Sequence, residues 1–422
     1  MLKRISRRLS FDRPCSTQID AKVEVNDQIQ AKANDVRDES INDKTVLDGL
    51  SKSKVLYIIG EQLCKGDITK LNPNVFLNEQ INIIPYNPNR EIRMKNFRVG
   101  KILGKGNFGA VYEGEVFGLL YPGSRTKVAI KTIDGEATLT HINCFLTEIK
   151  IMSNLDFHCN LVNMVGCHTF NLKENNGAWL ILEYCNEKDL LRFVVQNRRK
   201  FNESFKTSSK DANQLIHSRL MLTMALDIAK GMEYLSSKLI MHGDLAARNV
   251  LLTYNYNCPN KLLAKVSDFG LSKHMANKKY YRKRDRNYVP WKWMAFEFLE
   301  DGIFKMKSDV WSYGVTIWEM FSLGMEPYGV EEYQDVFDKL QRRKYLMCPV
   351  EINAIQLWPA TEMYNRLSKM CFVNEEDNRA SFSDIVRYLT LQLNNEEVQE
   401  YRNLTKVYSN RSSHIYLNIK NP

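Results

Sequence analysis

Along this chain the spacing of apolar residues changes period once, and that change limits the folds open to it. From about residue 90 to residue 183 the apolar residues come in short β-rich runs: FRVGKIL, AVYEGEV, KVAIKTI, LVNMVGC and WLILEYC. One helical stretch, about 140–154, interrupts them. After residue 187 the spacing becomes helical, with Met221, Ala225, Ile228, Met232 and Leu235 at steps of three or four. Residues 309–323 (DVWSYGVTIWEMFSL) are apolar nearly all round, as a central buried helix would be, with Ser308 placed to cap it. The expected fold class is α+β and bilobal, with a β-rich small lobe over 97–183 and a mainly helical large lobe over 187–395.

The flanks read differently. Residues 1–85 are polar and are expected to form a disordered extension. Its opening MLKRISRRLSFDR carries five basic residues and one acid, and no apolar stretch follows, so it is not a secretory signal. A solvated tail is the leading reading, ahead of a surface for acidic lipid or an organelle presequence. Residues 196–215 read as a polar surface insertion and 396–422 as a carboxy-terminal tail.

Composition narrows the class. A hydrophobic fraction of 44% with 26% charged residues allows a sizeable core. Fifty-nine Lys and Arg against 49 Asp and Glu give +10, which favours anionic partners without choosing among them. Nine scattered cysteines argue against a disulfide framework or zinc finger and for a reducing compartment. No apolar run reaches the roughly 18 residues of a membrane span.

Gly104-Lys-Gly106-Asn-Phe-Gly109-Ala-Val111 has the pattern G-x-G-x-x-G-x-V between two β-like runs. That setting suits a hairpin lying over a triphosphate, where glycine lets the backbone approach phosphate oxygens. A strand Val128-Ala129-Ile130-Lys131 follows. Glu148 shares a helix face with Phe145 and Met152 and so points inward, where it needs a cation; Lys131 is the candidate. His242-Gly243-Asp244-Leu-Ala246-Ala-Arg248-Asn249 is followed, nineteen residues after Asn249, by Asp268-Phe269-Gly270. Both segments adjoin β-like runs. Their carboxylate and amide oxygens suit Mg²⁺, and Asp244 can accept a proton from an attacking hydroxyl.

In order and spacing these motifs, with Trp293-Met-Ala-Phe296-Glu297 and Ser308-Asp309-Val-Trp311, resemble the protein kinase family over about 97–395. The resemblance implies ATP and magnesium as cofactors and Asp244 as catalytic base, with Arg248 beside it. It implies Asn249 and Asp268 as metal ligands and Lys131–Glu148 as the activating ion pair. By the same resemblance Gly104, Gly106 and Gly109 cover the nucleotide, and Val111, Ala129 and Leu251 sandwich its adenine. Leu182 is the gatekeeper before a hinge at Glu183 to Cys185, where Cys185 is expected to be a packed residue rather than a reactive thiol. Met152, Met164, His242 and Phe269 are implied as an apolar spine, and Glu297–Arg379 as a structural ion pair.

Ala246, where serine/threonine kinases usually carry Lys, and Pro290-Trp291-Lys292-Trp293-Met294 resemble the tyrosine-kinase versions of these loops. IPYNPNREIRMKNFRVGKILGKGNFG resembles the approach to the catalytic domain of platelet-derived and vascular endothelial growth factor-type receptors. The expectation is a protein-tyrosine kinase acting on protein substrates in signalling, carried on a soluble, cytoplasmic chain that peripheral membrane recruitment could join. A nucleic-acid partner is not expected. The alternative is a pseudokinase scaffold, motivated by two departures from the pattern. Gly243 stands where most regulated kinases have Arg, and Phe296 stands for the usual Pro. Tyr280 and Tyr281 form a candidate autophosphorylation pair, and Gly243 suggests that their modification matters less here. Tyr408 and Tyr416, each with Asn two residues on, resemble docking sites for phosphotyrosine-reading adaptors.

Overall fold

The computed structural model describes residues 63, 65–75, 77–106, 109–119, 121–133, 139–169, 177–206, 212–255, 258–268, 290–349 and 360–393. The expectations for residues 1–62, Phe269, Tyr280, Tyr281, Tyr408 and Tyr416 fall outside them.

The β-like runs form one five-stranded antiparallel sheet. Its strands are β1 (Phe97–Gly106), β2 (Gly109–Phe117), β3 (Arg125–Ile133), β4 (Met164–His168) and β5 (Trp179–Glu183), in the order β1-β2-β3-β5-β4. Alternation along β3 separates the two faces. Val128 and Ile130 are sealed into a cluster with Phe97, Val116, Val165 and Ile181. Ala129 and Lys131 face the opposite way, opposite Leu182 and Leu180 of β5. Helix α1 (Leu139–Ser153) packs on that second face through Phe145, Ile149 and Met152, so the sheet and α1 close the small lobe.

The helical part holds α2 (Leu190–Lys206), α3 (Ala212–Ser237), α4 (Phe296–Asp301), α5 (Ser308–Phe321), α6 (Tyr333–Gln341), α7 (Ala360–Cys371) and α8 (Phe382–Thr390). A hairpin of β6 (Val250–Asn255) and β7 (Cys258–Val266) lies between α3 and α4. Every residue of α5 is buried, as its uniform apolarity requires. Met221, Ala225, Ile228, Met232 and Leu235 all turn into the same core. Gly314 lets α7 come close, because a Cβ there would stand 2.7 Å from the Cys371 side chain.

Three expectations are corrected. The segment read as a disordered extension to residue 85 is packed over 65–85: Ile81, Ile84 and Tyr86, with Leu63, join the core against α1. Gln80 donates to the Asn72 and Val75 carbonyls, the Leu77 N–H donates to the Leu239 carbonyl, and the buried Lys150 ammonium donates to the Lys65 and Ile81 carbonyls. The reading as polar tail missed that apolar side chains and these bonds hold such a segment, built of turns and short 3-10 helices, against the core. The span 196–215 is not one loop, since α2 runs to Lys206 and α3 begins at Ala212. Finally, Ser308 is the first residue of α5 rather than its cap; its hydroxyl donates to Glu297 and accepts from the Lys305 N–H.

Candidate active site

The β6–β7 register brings the two polar loops together. Val250 pairs with Val266, so Asn249, just before β6, meets Ser267 and Asp268, just after β7. The Ser267 N–H and hydroxyl both donate to the Asn249 carbonyl, at 2.9 and 2.8 Å. Asp268 itself has φ +65°, a left-handed conformation costing about 1–2 kcal/mol in a residue with a Cβ. Strain of this kind persists where the surroundings over-determine the backbone.

Lys131 reaches across from β3. Its ammonium donates to both Glu148 oxygens, at 3.0 and 2.8 Å, and to Asp268 Oδ1 at 2.9 Å. Glu148 is buried, as the phase of α1 requires, and its partner is the expected one. Burial favours a neutral Lys131, but the Asp268 and Glu148 carboxylates outweigh it and hold its pKa above the usual lysine range. The lysine is therefore a fixed cation at neutral pH. Its side chain keeps 17% exposure, and that of Asp268 47%, so the cluster is open to a ligand.

Asp244 is held on both sides. The Arg248 guanidinium donates to Oδ1 at 2.5 Å, and Asn249 Nδ2 donates to Oδ2 at 2.8 Å and to the Asp244 carbonyl at 2.7 Å. Burial pushes the Asp244 carboxyl up to about 6, against the opposing pull of Arg248 and with a further push from Asp268. Beneath it His242 accepts the Asp244 N–H on Nδ1, which leaves Nε2–H to donate to the Ser267 carbonyl. Burial lowers His242 to about 4, so it is neutral.

The loop is carried by two carboxylates of α5. Asp309 accepts the N–H groups of His242 and Gly243, at 2.8 and 3.0 Å, and burial raises it to about 7. Gly243 has φ +77°, which glycine adopts freely. Glu319 Oε2 accepts the Ala247 N–H at 2.9 Å and the Trp293 indole N–H at 2.8 Å, and burial raises it to about 7 as well.

The other expected residues lie on the strands, in the segment after β5, in the core and between the helices. Gly104 faces open space, with nothing within 4 Å of where a Cβ would stand. Gly109 has no such freedom, since a Cβ would lie 1.9 Å from the Thr132 carbonyl oxygen. Gly106 ends β1 and pairs with Gly109. Ala129, Leu182 and Leu251 are half-buried between buried chain neighbours, and Val111 is half-buried among half-buried ones. The Glu183 N–H is already given to the Asn163 carbonyl. Its carboxylate is buried on Lys265 (2.9 Å) and on the N–H and amide of Asn163 (both 2.8 Å). Burial pushes the Cys185 thiol up to about 12, so it carries no thiolate at neutral pH. Met152 and Met164 lie in the core, and His242 is buried. Glu297 and Arg379 form a two-pronged buried pair, at 2.9 and 2.8 Å.

Four contributors were not singled out from sequence: Asn163, Lys265, Asp309 and Glu319. Asp309 and Glu319 are the only carboxylates in an otherwise apolar helix, the same signal that pointed to Glu148.

The donor set also bears on a metal. With Asn249 Nδ2 committed to Asp244, its amide offers an oxygen, and Asp268 offers an exposed carboxylate; these hard ligands fit Mg²⁺. Among the described residues no group of three or more His, Cys, Asp and Glu side chains could hold a metal by itself. Asn249 and Asp268 would supply two oxygen ligands to such an ion, the rest coming from outside the protein.

A lysine–glutamate pair joining β3 to α1, linked through Asp268 to an Asp–Arg–Asn loop, is the arrangement of the protein kinase class. The chain belongs to that family: the protein tyrosine and serine/threonine kinase family model matches residues 97–389. Among curated proteins it is similar to a fibroblast growth factor receptor of Strongylocentrotus purpuratus, 31% identical over 77% of this chain and 31% of the relative. It is 32% identical to vascular endothelial growth factor receptor 1 of Gallus gallus, over 74% of this chain and 26% of that protein. To the tyrosine kinase receptor Cad96Ca of Drosophila melanogaster it is 32% identical, over 78% of this chain and 38% of the relative. The chain thus spans between a quarter and two-fifths of these relatives' lengths. Among the described residues no helix is long and apolar enough to cross a membrane.

Proposed function

We propose that the protein is an active protein-tyrosine kinase that transfers the γ-phosphoryl group of ATP to tyrosine hydroxyls of protein substrates. The observation that carries this reading is the convergence of Lys131, Asp244, Asn249 and Asp268, from three separate segments of the chain, in one cluster whose Asp268 carboxylate is exposed. Lys131, braced by Glu148, fixes the nucleotide phosphates. Asp244, aimed by Arg248 and Asn249, orients the incoming phenol and takes its proton on a carboxylate oxygen. Asn249 and Asp268 would hold magnesium, which when bound neutralises the phosphate charge.

Tyrosine selectivity rests on Ala246 and on the aromatic shelf Trp291–Trp293. A phenol reaches farther than a serine hydroxyl, so its support sits farther from the phosphate, and these indoles provide an apolar surface there. The two departures from the family pattern do not weigh against activity. Gly243 keeps its N–H on Asp309, and Phe296 is buried, stacked on Phe337 with ring centroids 5.6 Å apart. We take 97–395 as the catalytic unit, with 65–96 as its brace. Tyr408 and Tyr416 are proposed adaptor sites, and Tyr280 and Tyr281 proposed phosphorylation sites.

The test is purified protein with ATP, magnesium and a mixed peptide array, read for phosphotyrosine and phosphoserine. Tyrosine phosphorylation that Asp244→Asn abolishes is expected. Phosphoserine alone sinks the tyrosine assignment, and no transfer to any acceptor favours a scaffold.

A further inference from the structure

The Glu319 carboxylate has no part in the chemistry above, yet it touches both sides of it. It lies in α5, 2% exposed, where an unmatched carboxylate is costly. A single oxygen, Oε2, accepts one N–H from the loop that carries Asp244 and one from the shelf residue Trp293. The Trp293 ring lies against Arg248, 4.7 Å from ring centroid to guanidinium carbon, and Arg248 grips Asp244. The contacts close a circuit: Glu319 to Ala247 and Trp293, both of these to Arg248, and Arg248 to Asp244.

We propose that Glu319 is a positioning residue for phosphoryl transfer, setting through Ala247 and Trp293 the direction in which Arg248 holds Asp244. This rests on the kinase reading above. Comparison with Asp309 separates the role from plain support. Asp309 accepts two backbone N–H groups of the same loop and so anchors it to α5. Glu319 has one donor in that loop and one in the side chain on which the substrate is proposed to rest, so it fixes the loop and the shelf relative to each other. A misplacement of about 1 Å between such parts can lower turnover about 100-fold.

The test compares wild type, Glu319→Ala, Glu319→Gln and Trp293→Phe in steady-state kinetics, with amide exchange followed over residues 242–252. Glu319→Ala is expected to lower kcat roughly 10- to 100-fold while KM for ATP stays within about twofold. Glu319→Gln keeps an oxygen at the acceptor position and recovers most of that loss. Trp293→Phe keeps a ring under Arg248 but removes the indole N–H; it lowers kcat several-fold, again with KM for ATP unchanged. Exchange at the Ala247 amide accelerates in Glu319→Ala. If Glu319→Ala does not fold, Trp293→Phe carries the decision. Wild-type kcat in Trp293→Phe, or no recovery with glutamine, overturns the proposal. A wild-type protein without turnover overturns the kinase reading along with it, whereas turnover that Trp293→Phe leaves intact overturns this proposal alone.

Discussion

Replacing Arg379 by alanine tests what joins the lower helices, and the structure allows its size to be worked out. The Arg379 side chain is 0% exposed and all five of its N–H donors are used. Nη1 and Nη2 each donate to one Glu297 oxygen, at 2.9 and 2.8 Å; Nε and Nη2 donate to the Val373 carbonyl, and Nη1 to the Lys307 carbonyl. Removing the guanidinium leaves a largely buried carboxylate with the Ser308 hydroxyl, at 2.7 Å, and a backbone N–H as its donors, and two carbonyls without theirs. Losing one partner of a buried pair costs about 3–5 kcal/mol. For a unit of this size that is a fall in Tm of roughly 6–20 °C. Arg379→Lys keeps the charge but not the fork, and should recover only part of it. Glu297→Gln leaves the carbonyl contacts in place and should cost about 1–3 kcal/mol.

The pH dependence gives a second, signed check. Burial alone would raise the Glu297 carboxyl, but the Arg379 hydrogen bonds and charge outweigh it and leave it below the ordinary glutamate value. A depressed folded pKa contributes stability that is present above the unfolded pKa and lost as pH falls through the folded one. In Arg379→Ala burial is opposed only by the Ser308 hydroxyl and a backbone hydrogen bond, so the folded pKa rises and protonation costs less. The stability gap between the two proteins should therefore be widest at neutral pH and narrow on acidification. Urea titrations at several pH values, with the double variant included, measure this. A loss under about 1 kcal/mol, a gap constant with pH, or strictly additive single losses would each refute the reasoning.

Three further outcomes concern the candidate site. Lys131→Met should lower kcat at saturating ATP by about 100-fold or more while cooperative unfolding persists; retention of more than about a tenth of wild-type turnover counts against it. Asp244 must be a carboxylate to accept a proton, so kcat/KM should rise with pH through about 6 to a plateau. Arg248→Ala, which removes the group opposing burial, should move that rise to higher pH, and a flat profile would contradict the assignment. The paired change Tyr280→Phe and Tyr281→Phe should leave turnover within about tenfold of wild type, because Gly243 offers no cation for a phosphorylated loop to grip; complete loss in a kinase assay would sink that expectation.

What the sequence made legible was whatever local periodicity encodes. The run Val128-Ala-Ile-Lys131 read as a strand ending in a Lys, and helical phase turned Glu148 inward. Both polar loops read as adjoining β-like runs; that these runs pair as a hairpin, bringing Asn249 to Ser267, came from the structure. The failures share a different cause. Residues 65–85 read as polar because the elements they pack on, α1 and the segment around Leu239, follow them in sequence. The start of the supposed insertion at 196 belongs to α2, a helix whose charged outer residues look like loop. Lys265 and Glu183, 82 residues apart, meet only after the hinge and β7 are in place.

Asp309 and Glu319 show where the boundary lies. A carboxylate inside an apolar helix must have a partner, and that rule, applied to Glu148, identified Lys131. Applied to α5 it would have marked both acids as special while leaving their partners unknown. Their donors are mostly backbone N–H groups, which every residue but proline carries and which no residue type announces. Charge pairs between side chains can be sought in a sequence, because both members are named there. A carboxylate that organises a loop through the main chain is visible only once the loop has been built, which is why the supports of the Asp244 loop came from the structure and Asp244 itself did not.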